Sequence, residues 1–424
     1  MSDVRSPGSR AAVLLCALAL LAAGCGGSGD ARDVALRGTV LAIYASAPLH
    51  GPGAGTGIDV VRGARLALAE QGGRAGSYRL RLLALDAAPR TPGDSEPAQI
   101  SENARRAARD PRTVAYVGEL RSGASAISIP ILNEAGIAQL SPLDSALGLT
   151  TPSAAITGSP ERYYPNAERV GRTFTRLVGS DRGQAAALVR LLVDEGRSRL
   201  ALLTDGHASG LALAAAVRPA ARAADVAIVA SEDVDVHAGE DRELVAQLLA
   251  RRPDAVLYAG GVLDVAARIW RELAVADPTL ALLAPSALAE PAFAARLGPA
   301  AEETQLTRPL LGLRDYPPPA GRVARAFALR YGATPSPEAL HGYEAMRAVL
   351  AAIRRAVAAA GDGRVTRSAV VRRLWATSVS RSVLGPYRFD AHGDATLDSW
   401  GAYRVAAGRL RFDRAIAPSM GGSG

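Results

Sequence analysis

Residues 114–136 read VAYVGELRSGASAISIPILNEAG. The stretch opens apolar, turns into small and hydroxylated residues, then continues with apolar residues at helical period. Together with Thr113 it predicts a strand over 113–119, a loop over 120–125 and a helix from residue 126. A strand end, a nest of small residues and a fresh helix start serve three kinds of chemistry. They can build a catalytic serine turn, a phosphate cradle or a pocket for a small ligand's carboxylate.

The same alternation extends in both directions. Upstream, GTVLAIYAS (38–46) reads as a strand, PLHGPGAGTGID (48–59) as a loop and VVRGARLALAEQGG (60–73) as a helix stopped by glycines. YRLRLLALD (78–86) is a strand. SEPAQISENARRAARD (95–110) is a helix, with Ser95 placed to cap it and Pro97 in its first turn. Downstream, a second series contains helices in 183–196, 210–225, 241–253 and 262–278. Its strands are expected in 199–206, 226–234, 254–261 and 280–286. The tail adds a long helical stretch (337–361), a shorter one (367–377) and strand-like segments over 385–395 and 399–412. Strands alternating with helices indicate α/β architecture. A length of 424 residues exceeds one ordinary core. Two series in such a chain imply two doubly wound lobes, whose ligands bind beyond the carboxyl ends of the strands.

The N-terminus reads as a processing signal. Arg5 and Arg10 precede AAVLLCALALLAA (11–23), an apolar run of signal-peptide length and too short to span a membrane comfortably. Ala22, Ala23 and Gly24 stand directly before Cys25, a pattern that resembles a bacterial lipobox. That resemblance implies cleavage before Cys25 and lipidation of its thiol. Residues 1–24 are then the lipoprotein signal peptide and 25–36 a flexible tether. The alternative is an ordinary cleavage site beside an incidental cysteine. Cys16 leaves with the signal, so no disulfide is expected, and multiple acyl chains give stable anchoring.

Composition narrows the function classes. Hydrophobic residues make up 49% and charged residues 21% of the chain, as in ordinary globular proteins. The net charge is +8, but lysine is absent and all 49 basic residues are arginine. They are interspersed with acids, which argues against nucleic-acid binding. A Walker-type phosphate loop requires a lysine and is excluded. GPGAGTG (51–57) lacks the G-x-G-x-x-G spacing of a dinucleotide site, and no cofactor is expected. GHASG (206–210) has its serine one place late for a nucleophile elbow, and ELRSGAS (119–125) lacks the first glycine. His50, His207, His237, His341 and His392 show no paired spacing for a metal. A pocket needs less: Ser122, Gly123, Ala124 and Ser125 offer backbone N–H groups and hydroxyls at a helix start. Those serines could equally serve only as helix caps.

The order of these motifs resembles the branched-chain amino-acid-binding periplasmic proteins, type I solute-binding proteins of ABC importers. The likeness runs from PLHGPGAGTGIDVVRGARLALAEQGG through LGPYRFDAHGD and covers nearly all of the chain after Cys25. It implies two lobes joined by three crossovers, placed near Arg172, Leu306 and Val383. Residues 37–172 with 307–382 then form the first lobe, and 173–306 with 383–416 the second. It also implies a site: Ser122 holds a ligand carboxylate, assisted by Leu143, Asp144 and Ser145, and Tyr258 closes from the second lobe. Two positions depart from the family pattern, Ser209 where an aromatic is usual and Ser286 where an acid is usual. Losing that acid removes a charge-assisted bond to a ligand ammonium. Glu119 or Asp144 could replace it, while Arg121 or Arg176 would favour an anionic ligand. The implied function is a lipid-anchored, extracytoplasmic, non-enzymatic receptor for an amino acid or relative, docking on a permease and ATPase complex. A lipoprotein regulating an envelope enzyme or sensor, or an envelope hydrolase dependent on Ser122 or Ser209, are the rival readings.

Overall fold

A computed structural model describes residues 35–416 other than 37, 52, 90–95, 122, 362 and 363. The expected signal peptide, Cys25, most of the tether, the cap Ser95 and Ser122 lie outside the described residues. The first strand, β1 (Val40–Ala47), is buried at seven of its eight positions. It is a continuous apolar run because helices cover both faces of a parallel sheet.

After β1 come α1 (Ala54–Glu70), β2 (Arg74–Ala75), β3 (Tyr78–Asp86), α2 (Glu96–Arg109) and β4 (Thr113–Val117). They are followed by α3 (Ser125–Glu134), β5 (Ala138–Ser141), α4 (Ala167–Val170) and β6 (Phe174–Arg176). The strands form one sheet in the order β2-β3-β1-β4-β5-β6, parallel except for β2. Helix α1 starts at Ala54, six residues before the apolar periodicity suggests. Its first turns contain Gly55 and Gly57, which look like loop residues. Gly57 is there for close packing, since a Cβ would lie 1.8 Å from the Pro48 carbonyl oxygen.

The second sheet is built from β7 (Arg199–Thr204), β8 (Ala227–Asp233), β9 (Ala255–Ala259), β10 (Ala281–Ala284) and β11 (Thr304–Arg308). Between them run α6 (Ala208–Ala223), α7 (Arg242–Ala250), α8 (Leu263–Ala276) and α9 (Pro291–Arg296), with α5 (Asp181–Asp194) leading in. The chain then returns to the first sheet with α10 (Pro318–Tyr331), α11 (Pro337–Ala360) and α12 (Arg367–Trp375). There Phe327, Met346, Leu350 and Val370 join Ile43 and Val117 in one core. A small hairpin, β12 (Ser378–Val379) with β13 (Tyr387–Arg388), precedes the last pair, β14 (Trp400–Ala406) and β15 (Arg409–Ile416). These two complete the second sheet in the order β15-β14-β11-β10-β9-β7-β8. Their two-residue turn, Ala407 (φ 51°) and Gly408 (φ 66°), has the paired positive φ of a tight hairpin.

The chain therefore passes between lobes three times, later each time than the sequence places it. Strand β6 pairs with β5 in the first sheet, so the first passage follows Arg176 rather than Arg172. Leu306 lies inside β11, and the second passage follows Arg308. Leu384, Tyr387, Phe389 and Ala395 pack into the first lobe's core, so the third comes after residue 395 and not near Val383.

Candidate functional site

Each sheet has a point where strand order reverses, beside β1 in the first and beside β7 in the second. Loops diverge at such points and leave a crevice at the carboxyl ends of the strands. Here the two crevices face one another and enclose a cleft of about 430 Å³, within the usual range for small-ligand sites. Thr56, Leu120, Arg121 and Leu143 line it from the first lobe; Ser209, Gly260, Ser286 and Glu290 line it from the second. Asp181 and Arg308, at the passages between lobes, line it as well.

Close backbone packing shapes the second-lobe wall. A Cβ on Gly260 would lie 2.6 Å from both the Tyr258 ring and the Asp205 carboxylate, and one on Gly210 would lie 2.3 Å from the Ala259 carbonyl oxygen. Asp205 organises this loop, accepting from the N–H groups of Gly261 at 2.8 Å and His207 at 3.1 Å. Tyr258, expected to close over the ligand, does not line the cleft. It is fully buried, stacks edge-on with Trp270 at 6.2 Å and places its hydroxyl 3.5 Å from Asp205. Its alternating partner on the strand points to the other face, and Tyr258 is spent on the core. Of the other expected residues, Leu143, Ser209 and Ser286 line the cleft.

Asp144 and Ser145 are fully buried beside it. The Asp144 carboxylate accepts from the N–H groups of Gly123 and Ser125, each at 2.9 Å, and of Ala146 at 3.1 Å. Burial raises its pKa against those donors. Ser145 Oγ donates to Asp181 Oδ1 at 2.6 Å. Burial pushes Asp181 up to about 7, against the pull of Ser145 and Arg176.

Of the alternative charges, Glu119 does not line the cleft. It is buried, accepts from the Tyr116 hydroxyl at 2.6 Å, and burial pushes its pKa up to about 8. Arg176 is also buried. Its guanidinium donates to both Asp394 oxygens, at 2.8 and 2.9 Å, to Thr150 Oγ1 at 2.6 Å and to the Ala146 carbonyl at 2.7 Å. Only Arg121 faces the cleft, between Glu96 at 3.4 Å and Glu290 at 3.8 Å.

Asp181, Glu290 and Arg308 are cleft residues that sequence reasoning missed. Asp181 carried one usable signal, a Ser180-Asp181 pair opening the helix after the first passage. Arg308 is held by Glu338 at 2.7 Å and lies over the Tyr403 ring at 5.2 Å. Among the described residues, no three His, Cys, Asp or Glu side chains gather as a metal would need. Among them, too, no helix is long and apolar enough to cross a membrane.

A family model described as periplasmic binding protein matches residues 43–409. A leucine-binding protein of Thermotoga maritima has a similar structure, with a TM-score of 0.70 and 21% identity over 89% of this chain and 99% of that one. An isoleucine complex of a branched-chain amino-acid transporter substrate-binding protein from Streptococcus pneumoniae gives 0.66 and 18%, covering 89% and 98%. A solute-binding protein of an ABC transporter from R. palustris, in complex with benzoate, gives 0.64 and 18%, covering 91% and 98%. Among curated proteins none matches. The chain belongs to the periplasmic binding protein family, and its fold is the type I fold of that family.

Proposed function

We propose, from this membership, that the protein is the lipid-anchored solute receptor of an ABC importer. The receptor closes on a small organic solute, an amino acid or a compound of similar size, and presents it to a permease. The observation that carries this reading is the cleft itself. It has the volume of a small-ligand site and takes lining residues from both lobes. A ligand that touches both lobes stabilises the closed form through its differential affinity for that form. The structural neighbours hold leucine, isoleucine or benzoate, which supports a solute of that size. Anchoring rests on the Ala22-Ala23-Gly24-Cys25 pattern.

A thermal-shift panel of amino acids, amides, carboxylates and amines tests the receptor role, with X-ray scattering to follow compaction. A ligand present at 100 times its Kd adds about 2.7 kcal/mol of stability. A panel without any shift or compaction refutes the reading. Detergent phase partition tests the anchor: the native chain should enter the detergent phase and the Cys25→Ser variant should not.

A further inference from the structure

We propose that Asp144 determines the specificity of the cleft: its carboxylate fills, from within the chain, the anion nest at the start of α3. The cleft then takes a solute whose polar head is uncharged or cationic. This rests on the reading of the cleft as the ligand site and adds the charge class of the ligand.

The loop of small residues before α3 has the character of an anion receptor. Among the described residues its N–H donors are already used. Gly123 and Ser125 donate to the two oxygens of Asp144, and the Ala124 N–H donates to the Arg121 carbonyl at 3.0 Å. The Ser125 hydroxyl accepts from the Glu119 N–H at 3.2 Å. A ligand carboxylate arriving here would have to displace Asp144 or stand beside it.

The surroundings oppose a second anion. Ser145 links this corner to Asp181, which lines the cleft, and Glu119 is buried behind it. Burial already disfavours the charged forms of all three acids, and another negative charge adds to that cost. The buried cation of the corner, Arg176, is committed to Asp394. The two cations that line the cleft also face acids: Arg121 lies between Glu96 and Glu290, and Arg308 pairs with Glu338. Asp181 has no cationic partner within ion-pair distance among the described residues. An amide, hydroxyl or ammonium can hydrogen-bond to its ionised form; a carboxylate can do so only if Asp181 takes up a proton, which adds a cost.

Calorimetric titration of the mature chain, residues 25–424 carrying Cys25→Ser, tests this at pH 7.5. The probes share a skeleton and differ in head group: isovalerate, isovaleramide and isopentylamine, then benzoate, benzamide and benzylamine. The expected result is binding of the amide or the amine at least tenfold tighter than the matching carboxylate. Asp144→Ala should gain at least tenfold for the carboxylate by vacating the nest, and Asp144→Asn should show a smaller gain. Because Asp144→Ala removes a buried hydrogen-bonded group, its fold is checked by circular dichroism. The wild-type ratio is decisive without it. Equal or tighter binding of a carboxylate, or of leucine, by the wild type overturns the proposal and leaves the ligand cleft standing. Folded Asp144→Ala without any carboxylate gain also overturns it. Failure of every probe to bind overturns both the proposal and the cleft reading beneath it.

Discussion

Arg121 and Glu290 meet across the cleft from different lobes, with Arg121 Nη2 3.8 Å from Glu290 Oε1. Glu96 holds the same guanidinium from the first-lobe side at 3.4 Å, so the pair spans the entrance to the site. The Arg121 side chain is 49% exposed, and exposed pairs contribute about 0.2–1 kcal/mol. Arg121→Ala or Glu290→Gln should therefore favour the open form modestly and weaken ligand binding by up to about fivefold. The effect should fade in high salt. X-ray scattering and titration at two ionic strengths check this, and an unchanged open fraction would remove the pair from the closing mechanism.

Glu119 should make stability depend on pH. Its folded pKa of about 8 lies above the ordinary carboxyl value of 4.5. The folded state therefore keeps a proton that the unfolded state releases, and stability falls as pH rises from about 4.5 through about 8. Glu119→Gln retains an oxygen to accept from Tyr116 and removes this dependence. The variant should match the wild type near pH 5 and exceed it by about 2–4 kcal/mol at pH 8.5. Urea unfolding at the two pH values measures the difference. Parallel curves for the two proteins would contradict the assignment.

Arg176→Met should cost about 3–5 kcal/mol, because it leaves Asp394 buried with an uncompensated charge. The paired variant Arg176→Met with Asp394→Leu should recover much of the loss, since apolar replacements avoid that penalty. A double-mutant cycle in denaturant gives the coupling. Equal losses in the single and double variants would mean that the backbone contacts of Arg176 dominate.

Two glycines in helices should respond to alanine with opposite signs. Gly342 lies where α11 crosses α1, and a Cβ there would sit 2.1 Å from the Val60 carbonyl oxygen. Gly342→Ala should destabilise by about 1–3 kcal/mol through overpacking. Gly321 in α10 would meet only the tip of Arg325 at 3.8 Å, and Gly321→Ala should stabilise by about 0.5–1 kcal/mol. Thermal melts of the two variants distinguish packing from propensity.

Apolar strands were the legible part of the fold. YRLRLLALD is β3 residue for residue, and RLALLTDG gives β7 less its last two residues. Polar buried strands were not legible. TQLTR, which is β11, and FTR, which is β6, were assigned no strand. Thr304 donates to the Ala300 carbonyl at 2.6 Å, Gln305 to Glu195 at 2.7 Å and Thr175 to the Gln139 carbonyl at 3.3 Å. Hydrogen bonds that only the fold supplies make those residues buriable, and the lobe boundaries moved with them. The site divides similarly. Leu143, Ser209 and Ser286 follow strand ends and were placed by the family resemblance. Asp181, Glu290 and Arg308 reach the cleft because two lobes come together there, a relationship that no local spacing encodes. Asp144 was expected to assist in holding a ligand carboxylate; its own carboxylate accepts from the Gly123 and Ser125 N–H groups.

Neither lobe is made from one stretch of chain, and this governs when each can form. The first lobe's core waits for Met346, Leu350 and Val370, and the second sheet waits for β14 and β15, which end at Ile416. A chain delivered amino end first completes β4 some 200 residues before α11 arrives to finish the same core. The same order leaves a chain cut short before residue 400 with its second sheet unfinished, lacking β14 and β15.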